Sequence, residues 1–477
     1  GWGGDVILEA LGLVFQPYIL LVMAICAVYG VFVGSIPGLT ATMAVALMVP
    51  FTFYMDPIPA LAAIVTLEAT AIFAGDIPGA LVRIPGTPSS AAYVDDSYAL
   101  SRRGLAHSVL GVALTFSVMG GLFGAIVLML AAPALAAFAL NFTSYELFWL
   151  ALLGLSSAAL VAKGSPIKGA LSLGIGLLLS TVGLDPVDGF ARFSFGHPEL
   201  VGGISFIPAM IGLFGFSEVL RYFLESVADV EPPETRHGRM FHDIFRLIRR
   251  RKGSVLRSAS MGTVIGALPG AGADIAAWVS FAASKKFSDK PEEYGEGSLE
   301  GVGDATAANN SAVAGAWVPA LVFGIPGDTV TAIAIGVLLM KGVQPGPIIF
   351  ERQPELLYST YIVFLLANIL LLPFGYLAIR VGSRIVSLPR RLLLPAILLF
   401  CVVGSFAINH STFDIGVMIA MGILGYYLET NGVPIGPIVL GIVLGPMIEH
   451  YFMNSLIKSR GDFSEFFTRP VAGTLGF

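Results

Sequence analysis

The sequence predicts an all-α polytopic membrane protein of two related halves, with about ten to twelve transmembrane helices and several broken or re-entrant ones. Three observations carry this reading: the composition, the long gaps between charged residues, and an internal repeat. Of 477 residues, 56% are apolar and only 12% charged, at a mean hydropathy of +0.83. Soluble domains carry charge on about a quarter of their residues. Glu9 is the last charge before Asp56, Arg103 before Glu146, Glu355 before Arg380 and Arg391 before Asp414. Each gap meets the roughly 20 residues that a helix needs to cross hydrocarbon. The short alternating strands of a membrane β-barrel are not seen.

The net charge of −5 says little, because the charges sit in a few loops. Cys26 and Cys401 lie far apart in apolar runs and read as small hydrophobes, so no disulfide framework or metal cluster is expected. No basic region or cleavage site precedes the first span, unlike a secretory signal. The densest basic stretch runs from Arg236 to Arg257, and clusters of this kind stay on the cytoplasmic side during insertion. It divides the chain into a first membrane half (1–225), a basic linker (226–257) and a second membrane half (258–477). Within the linker, Met240–Arg251 reads either as a surface helix with Phe241, Ile244, Phe245 and Ile248 turned to the membrane or as a solvated loop.

The two halves repeat each other. Gly34-Ser35-Ile36-Pro37-Gly38 is answered by Gly266-Ala267-Leu268-Pro269-Gly270, and Ile84-Pro85-Gly86-Thr87 by Ile325-Pro326-Gly327-Asp328. A short run then leads to Arg103-Gly104 in one copy and Lys341-Gly342 in the other. Proline removes a donor and glycine loosens the backbone, so each pair is expected to end a helix part-way through the membrane. Matching breaks in two halves point to a transporter site near the bilayer midplane, and inverted repeats are the expected arrangement.

The residues just after each break suggest its ligand. Thr87-Pro88-Ser89 looks like an N-cap, a proline at the first helical position and a further hydroxyl, so an anion is expected there. Asp328 takes the cap position in the second copy, with Thr329 next in the chain; a cation site, or simply a charged cap, is the reading. Asn309-Asn310 sits in an uncharged run where amides are costly unless partnered, either by another helix or by a ligand. The six histidines show no metal-ligand spacing. With no H-E-x-x-H and no G-x-S-x-G, a membrane hydrolase is disfavoured. A channel or a structural subunit of a larger complex remains the alternative to a carrier.

At these residues the chain resembles the large membrane subunit of the tripartite tricarboxylate transporters. The likeness runs from Gly34–Leu39 through Ile84-Pro85-Gly86, Asp96–Gly104, Leu268–Gly272, Glu300-Gly301-Val302, Asn309-Asn310 and Gly324–Gly327 to Gly342–Pro347. It implies a bacterial inner-membrane, multi-pass secondary transporter importing carboxylates. The implied partners are a small four-helix membrane subunit and a periplasmic solute-binding protein, with no nucleic acid. No cofactor is implied beyond Na+ or a proton as coupling ion. Arg83, the stretch Ala74-Gly75-Asp76, Ser97 and Thr306 depart from the family pattern, where an Asn, a Gly-Gly-Ser-like stretch, a glycine and an acidic residue are usual.

The expected substrate contacts are Ser35, Thr40, Arg83, Thr87, Ser89, Asn309 and Asn310. The expected cation contacts are Gly38, Gly270, Asp274, Asp328 and Thr329. Arg83 either binds a carboxylate directly or pairs with an acid, Glu68 and Asp76 being the nearby candidates. Moving-barrier transport of elevator type is an expectation from the duplicated hairpins.

Overall fold

In the computed structural model, which describes residues 2–161, 165–226, 231, 238–241, 244–268 and 272–477, the first half opens with α1 (Trp2–Val14) and α2 (Pro17–Ser35). Helix α2 stops at Ile36 because the residue before a proline is pushed out of the helical region. Thr40 restarts the chain as the N-cap of α3 (Ala41–Thr52), its Oγ1 accepting the Met43 N–H at 3.1 Å. Helix α4 (Pro57–Ala74) continues across Gly75 into α5 (Asp76–Val82). Then come α6 (Val94–Leu100), α7 (Ala106–Ala139), α8 (Ser144–Val161) and α9 (Pro166–Ser180). A short antiparallel ribbon of β1 (Gly183–Leu184) and β2 (Ala191–Arg192) precedes α10 (Phe206–Met210) and α11 (Ser217–Leu224), which a π-helical stretch joins.

The second half follows the same order. It comprises α12 (Ile244–Gly266), α13 (Gly272–Lys286), α14 (Leu299–Phe323), α15 (Thr329–Met340), the single turn α16 (Ile349–Arg352) and α17 (Pro354–Val386). Helices α18 (Arg390–Ala407), α19 (Thr412–Thr430) and α20 (Gly436–Lys458) complete the bundle, with α21 (Glu465–Thr468) and α22 (Pro470–Gly476) packed at its edge. The boundary drawn at 257/258 falls inside α12. That helix starts at Ile244, bends at Arg251 (φ −112°) and runs on into the bundle, so the end of the basic linker is the first turns of a packed helix. Ile244 is buried with Val112, Phe116 and Ala307, whereas Phe245 is 90% exposed. The expected surface-helix face is therefore split between protein and surroundings.

Among the described residues, eight helical stretches are long and apolar enough to cross a membrane. Shorter apolar helices are α3, α9 and α15. Helix α14 is too polar for such a pattern, and its burial explains why: every residue from Gly301 to Val322 is enclosed by protein. Helix α4 is likewise enclosed from Pro59 to Ala74. These two helices occupy equivalent places in the halves and form the centre of the molecule.

The equivalence extends to packing. Helix α2 lies on α4 as α12 lies on α14, and the long helices cross over, α7 packing on α14 and α17 on α4. The close approaches are made by a small-x-x-x-small pattern, Gly30/Gly34 and Gly262/Gly266. A Cβ at Gly30 would stand 2.1 Å from Thr70 Oγ1, and one at Gly262 would stand 2.1 Å from Ser311 Oγ. Farther out, α9 packs on α20 and α19 on the π-helical stretch 211–216.

Candidate functional site

Both downstream breaks are built alike. Helix α5 ends at Arg83 and α14 at Gly324, each in the left-handed conformation (φ 57° and 70°). In each the next N–H reaches back, Ile84 to Pro78 O (3.4 Å) and Ile325 to Pro319 O (3.2 Å), closing the helix end. Gly86 then folds against Gly75, where a Cβ would lie 2.3 Å from Gly75 Cα, and Gly327 folds against Ala316 in the same manner. Glycine serves the left-handed turn at no steric cost, which Arg83 does not.

Aligning Ile84-Pro85-Gly86 on Ile325-Pro326-Gly327 places Glu68 opposite Asn309 and Asp76 opposite Trp317. Glu68 meets Trp317 directly, and Tyr93 stands between Asp76 and Asn309. Trp317 Nε1 donates to Glu68 Oε2 at 3.1 Å. The Tyr93 hydroxyl donates to Asp76 Oδ1 and comes near the Asn309 amide without a full hydrogen bond to it. The order of these pairs, Glu68 by Trp317 and Asp76 towards Asn309 through Tyr93, sets α14 against α4–α5 in the opposite direction.

This crossing holds polar atoms that nothing pairs: Thr66 Oγ1, Glu68 Oε1, Asp76 Oδ2, Asn310 Oδ1, and both side-chain polar atoms of Asn309. All belong to residues at most 3% exposed. Each orphaned group costs about 1–3 kcal/mol, so this concentration makes the crossing the candidate site.

The other expected site residues add no orphaned polar atom to this crossing, although Gly86 brings Thr87 close to Gly75 and Asp328 lies near Glu68. Thr87 does not cap an α-helix: beyond Pro88 there is a single 3-10 turn, Ser90–Ala92, because the hydroxyls bond locally and compete with the helix. Ser90 N–H donates to Thr87 Oγ1 (3.2 Å), and the Thr87 and Ser89 hydroxyls face each other at 2.9 Å. The expected anion-binding helix start is therefore corrected to a self-satisfied turn. Ser35 turns its hydroxyl back onto Val31 O, and Thr40 is the α3 cap.

Gly38 is left-handed (φ 85°), and the Arg390 guanidinium stands over it, so a cation there would meet a like charge. A cavity beside Gly38 is also bounded by Glu218, Arg221 and Arg390. It shares no lining residue with the crossing, and Arg221 is paired with Glu218 and Glu429. Asp328 is a charged cap: Thr331 N–H donates to its Oδ1 (2.8 Å), and Asp328 N–H to Thr331 Oγ1 (2.9 Å). Thr329 opens that helix near Gly436. Gly270 and the Asp274 side chain lie outside the described residues.

Arg83 is paired, but not with Glu68 or Asp76. Its Nε donates to Asp95 Oδ1 at 2.8 Å, with both side chains more than half exposed. The segment between Arg83 and Asp95 folds back after the break, which sequence separation alone does not reveal. Arg83→Gln should cost less than about 1 kcal/mol, as exposed pairs do, and leave uptake close to wild type. Loss of uptake in a stably inserted Arg83→Gln protein would instead put the guanidinium on the substrate.

Several contacts escaped the sequence reading. Buried Asp304 of α14 holds Arg251 (3.2 Å) and Arg257 (3.3 Å) and accepts from Ser284 Oγ (2.6 Å). Asp96 accepts the N–H groups of Gly295, Gly297 and Ser298. The basic residues after the breaks each clasp the other half, Arg103 donating to Glu296 O (2.7 Å) and Lys341 to Phe53 O (3.3 Å) and Met55 O.

The fold and this crossing define a multi-pass helical membrane protein assembled around two buried, broken hairpins. Residues 20–440 match the tripartite tricarboxylate transporter TctA family, and the chain belongs to that family. An uncharacterized 52.8 kDa protein in the TAR-I ttuC' 3' region of Agrobacterium vitis is 36% identical over 447 residues, covering 94% of this chain and 88% of that protein. A second protein of the same organism, from the TAR-II ttuC' 3' region, is 36% identical over 214 residues, covering 45% of this chain and 88% of its own length. No solved structure matches. The family makes the chain a membrane component of a tricarboxylate transporter, a system of several subunits.

Proposed function

We propose that this chain is the membrane subunit of a binding-protein-dependent secondary transporter that imports a tricarboxylate or dicarboxylate across the bacterial inner membrane, driven by a sodium or proton gradient. A periplasmic solute-binding protein delivers the substrate, and a small four-helix subunit completes the membrane complex. The carrying observation is the Asn309 amide, buried with both polar atoms unpartnered where α14 crosses α4–α5. An amide N–H₂ is a donor suited to a carboxylate, and Asn310 stands beside it with one atom also free.

The opposed order of Glu68–Trp317 and of Asp76, Tyr93 and Asn309 supports inverted repeats. Central helices related by a two-fold axis along the membrane normal would run parallel, whereas one in the membrane plane makes them antiparallel. In such a carrier each half offers its hairpin from its own side of the bilayer, and the substrate meets amides rather than lipid between them.

The test is reconstitution of the complex in proteoliposomes with its binding protein and a panel of labelled di- and tricarboxylates, with and without sodium. Saturable accumulation that needs the binding protein is the expected outcome. Large unitary currents with no saturation would mean a channel.

A further inference from the structure

Glu68 and Asp76 are acids with no counter-charge. Glu68 is 1% and Asp76 3% exposed, and no basic side chain among the described residues faces either. Glu68 is faced by the Trp317 indole and, farther off, the Asp328 carboxylate at the cap of α15. Asp76 is faced by the Tyr93 phenol. In each carboxyl one oxygen accepts from an aromatic donor and the other has no partner. A full charge in such surroundings is costly unless something neutralises it.

We propose that Glu68 and Asp76 are the proton carriers of the transport cycle, which resolves the coupling ion of the proposed transporter as H+ and rests on that functional reading. When the crossing opens to the outer water, each carboxylate takes a proton onto its unpartnered oxygen, Glu68 Oε1 or Asp76 Oδ2. The neutral acids cross with the substrate, and each O–H bond breaks to return H+ to the inner water. The aromatic partner fixes one oxygen and leaves the other to exchange. A proton needs one lone pair, whereas a metal ion needs several converging oxygens, and Trp317 supplies a donor where a ligand would be required. Position supports the role as well. Glu68 is the counterpart of Asn309, and Asp76 and Asn309 both lie by the Tyr93 hydroxyl, so the acids sit within the same crossing as the amides assigned to the substrate. Protonation thereby offsets part of the negative charge that a carboxylate brings into the centre.

Two readouts test this. Infrared difference spectra of the purified protein on a pH step should show protonated-carboxyl bands at neutral pH, one lost in Glu68→Gln and another in Asp76→Asn. In proteoliposomes of the assembled transporter, both variants should lose accumulation of the transported carboxylate driven by a pH gradient. Exchange of labelled for unlabelled substrate, which needs no net proton movement, should fall far less than pH-driven accumulation, and gel filtration of the purified variants shows that they are folded. Accumulation driven by sodium alone in wild type, retained pH-driven accumulation in both variants, or bands that neither substitution alters would each overturn the proposal. If wild type moves no carboxylate under any gradient, the transport reading falls, and the infrared bands still decide whether these carboxyls hold protons.

Discussion

Asn309→Leu should raise the thermal stability of the purified protein while abolishing uptake. Both side-chain polar atoms of Asn309 are buried without partners, so the native residue carries an uncompensated desolvation cost of about 1–3 kcal/mol per group. Leucine is of similar size and has no polar atom to satisfy, so the folded state gains what the amide was losing. A residue that packed for stability alone would behave in the opposite way. The expected result is thus a split, melting temperature up and transport gone, read by thermal shift and by uptake on one preparation. A stable Asn309→Leu protein with wild-type uptake would remove the amide from the substrate path. Asn310→Leu should show a weaker form of the split, since its Nδ2 already donates to Thr306 O at 3.2 Å.

Asp304→Asn should destabilise strongly. The Asp304 carboxylate is buried between two arginines of α12, whose side chains are only 14% and 26% exposed. Breaking a buried pair by removing one partner typically costs about 3–5 kcal/mol. Here Arg257 loses its carboxylate partner and Arg251 keeps only Glu300 (3.2 Å), so the bend of α12 at Arg251 loses one of its two anchors. Equilibrium unfolding in mild detergent reads the loss. Adding Arg251→Gln to Asp304→Asn should cost less than the sum of the two single changes, because the pair is already broken. Full additivity would show that the two groups do not communicate.

The class of fold was legible because it rests on a pattern that a membrane enforces, uncharged runs of spanning length. The central pair was half legible. Asn309 and Asn310 stood out as amides in an apolar run. Glu68 and Trp317 did not, because a lone acid and a lone indole acquire meaning only when the breaks are superposed across the halves. Arg83 shows the opposite limit. Its position before the break was plain, yet its partner Asp95 lies beyond a turn whose path depends on local hydroxyl bonding at Thr87 and Ser90. The misjudged helix start at Thr87 has the same origin: Thr-Pro-Ser-Ser satisfies a cap pattern, but the hydroxyls found one another first. Asp304 was hidden because α14 is a protein-enclosed helix, in which an acid is paired by residues distant in sequence.

The most direct measurement is the sidedness of the two post-break loops. Arg103 clasps the loop before α14, and the nearby start of α7 packs with the basic end of the linker, which its charge leads us to expect on the cytoplasmic side. Lys341 instead clasps the loop before α4. Single cysteines at Arg102 and Gln344, both exposed, in a background lacking Cys26 and Cys401, can be treated with an impermeant thiol reagent in intact spheroplasts. Gln344→Cys should react at once, and Arg102→Cys only after the membrane is permeabilised. Labelling of both positions from the same side would make the halves parallel copies and contradict the inverted crossing on which the proposed site depends.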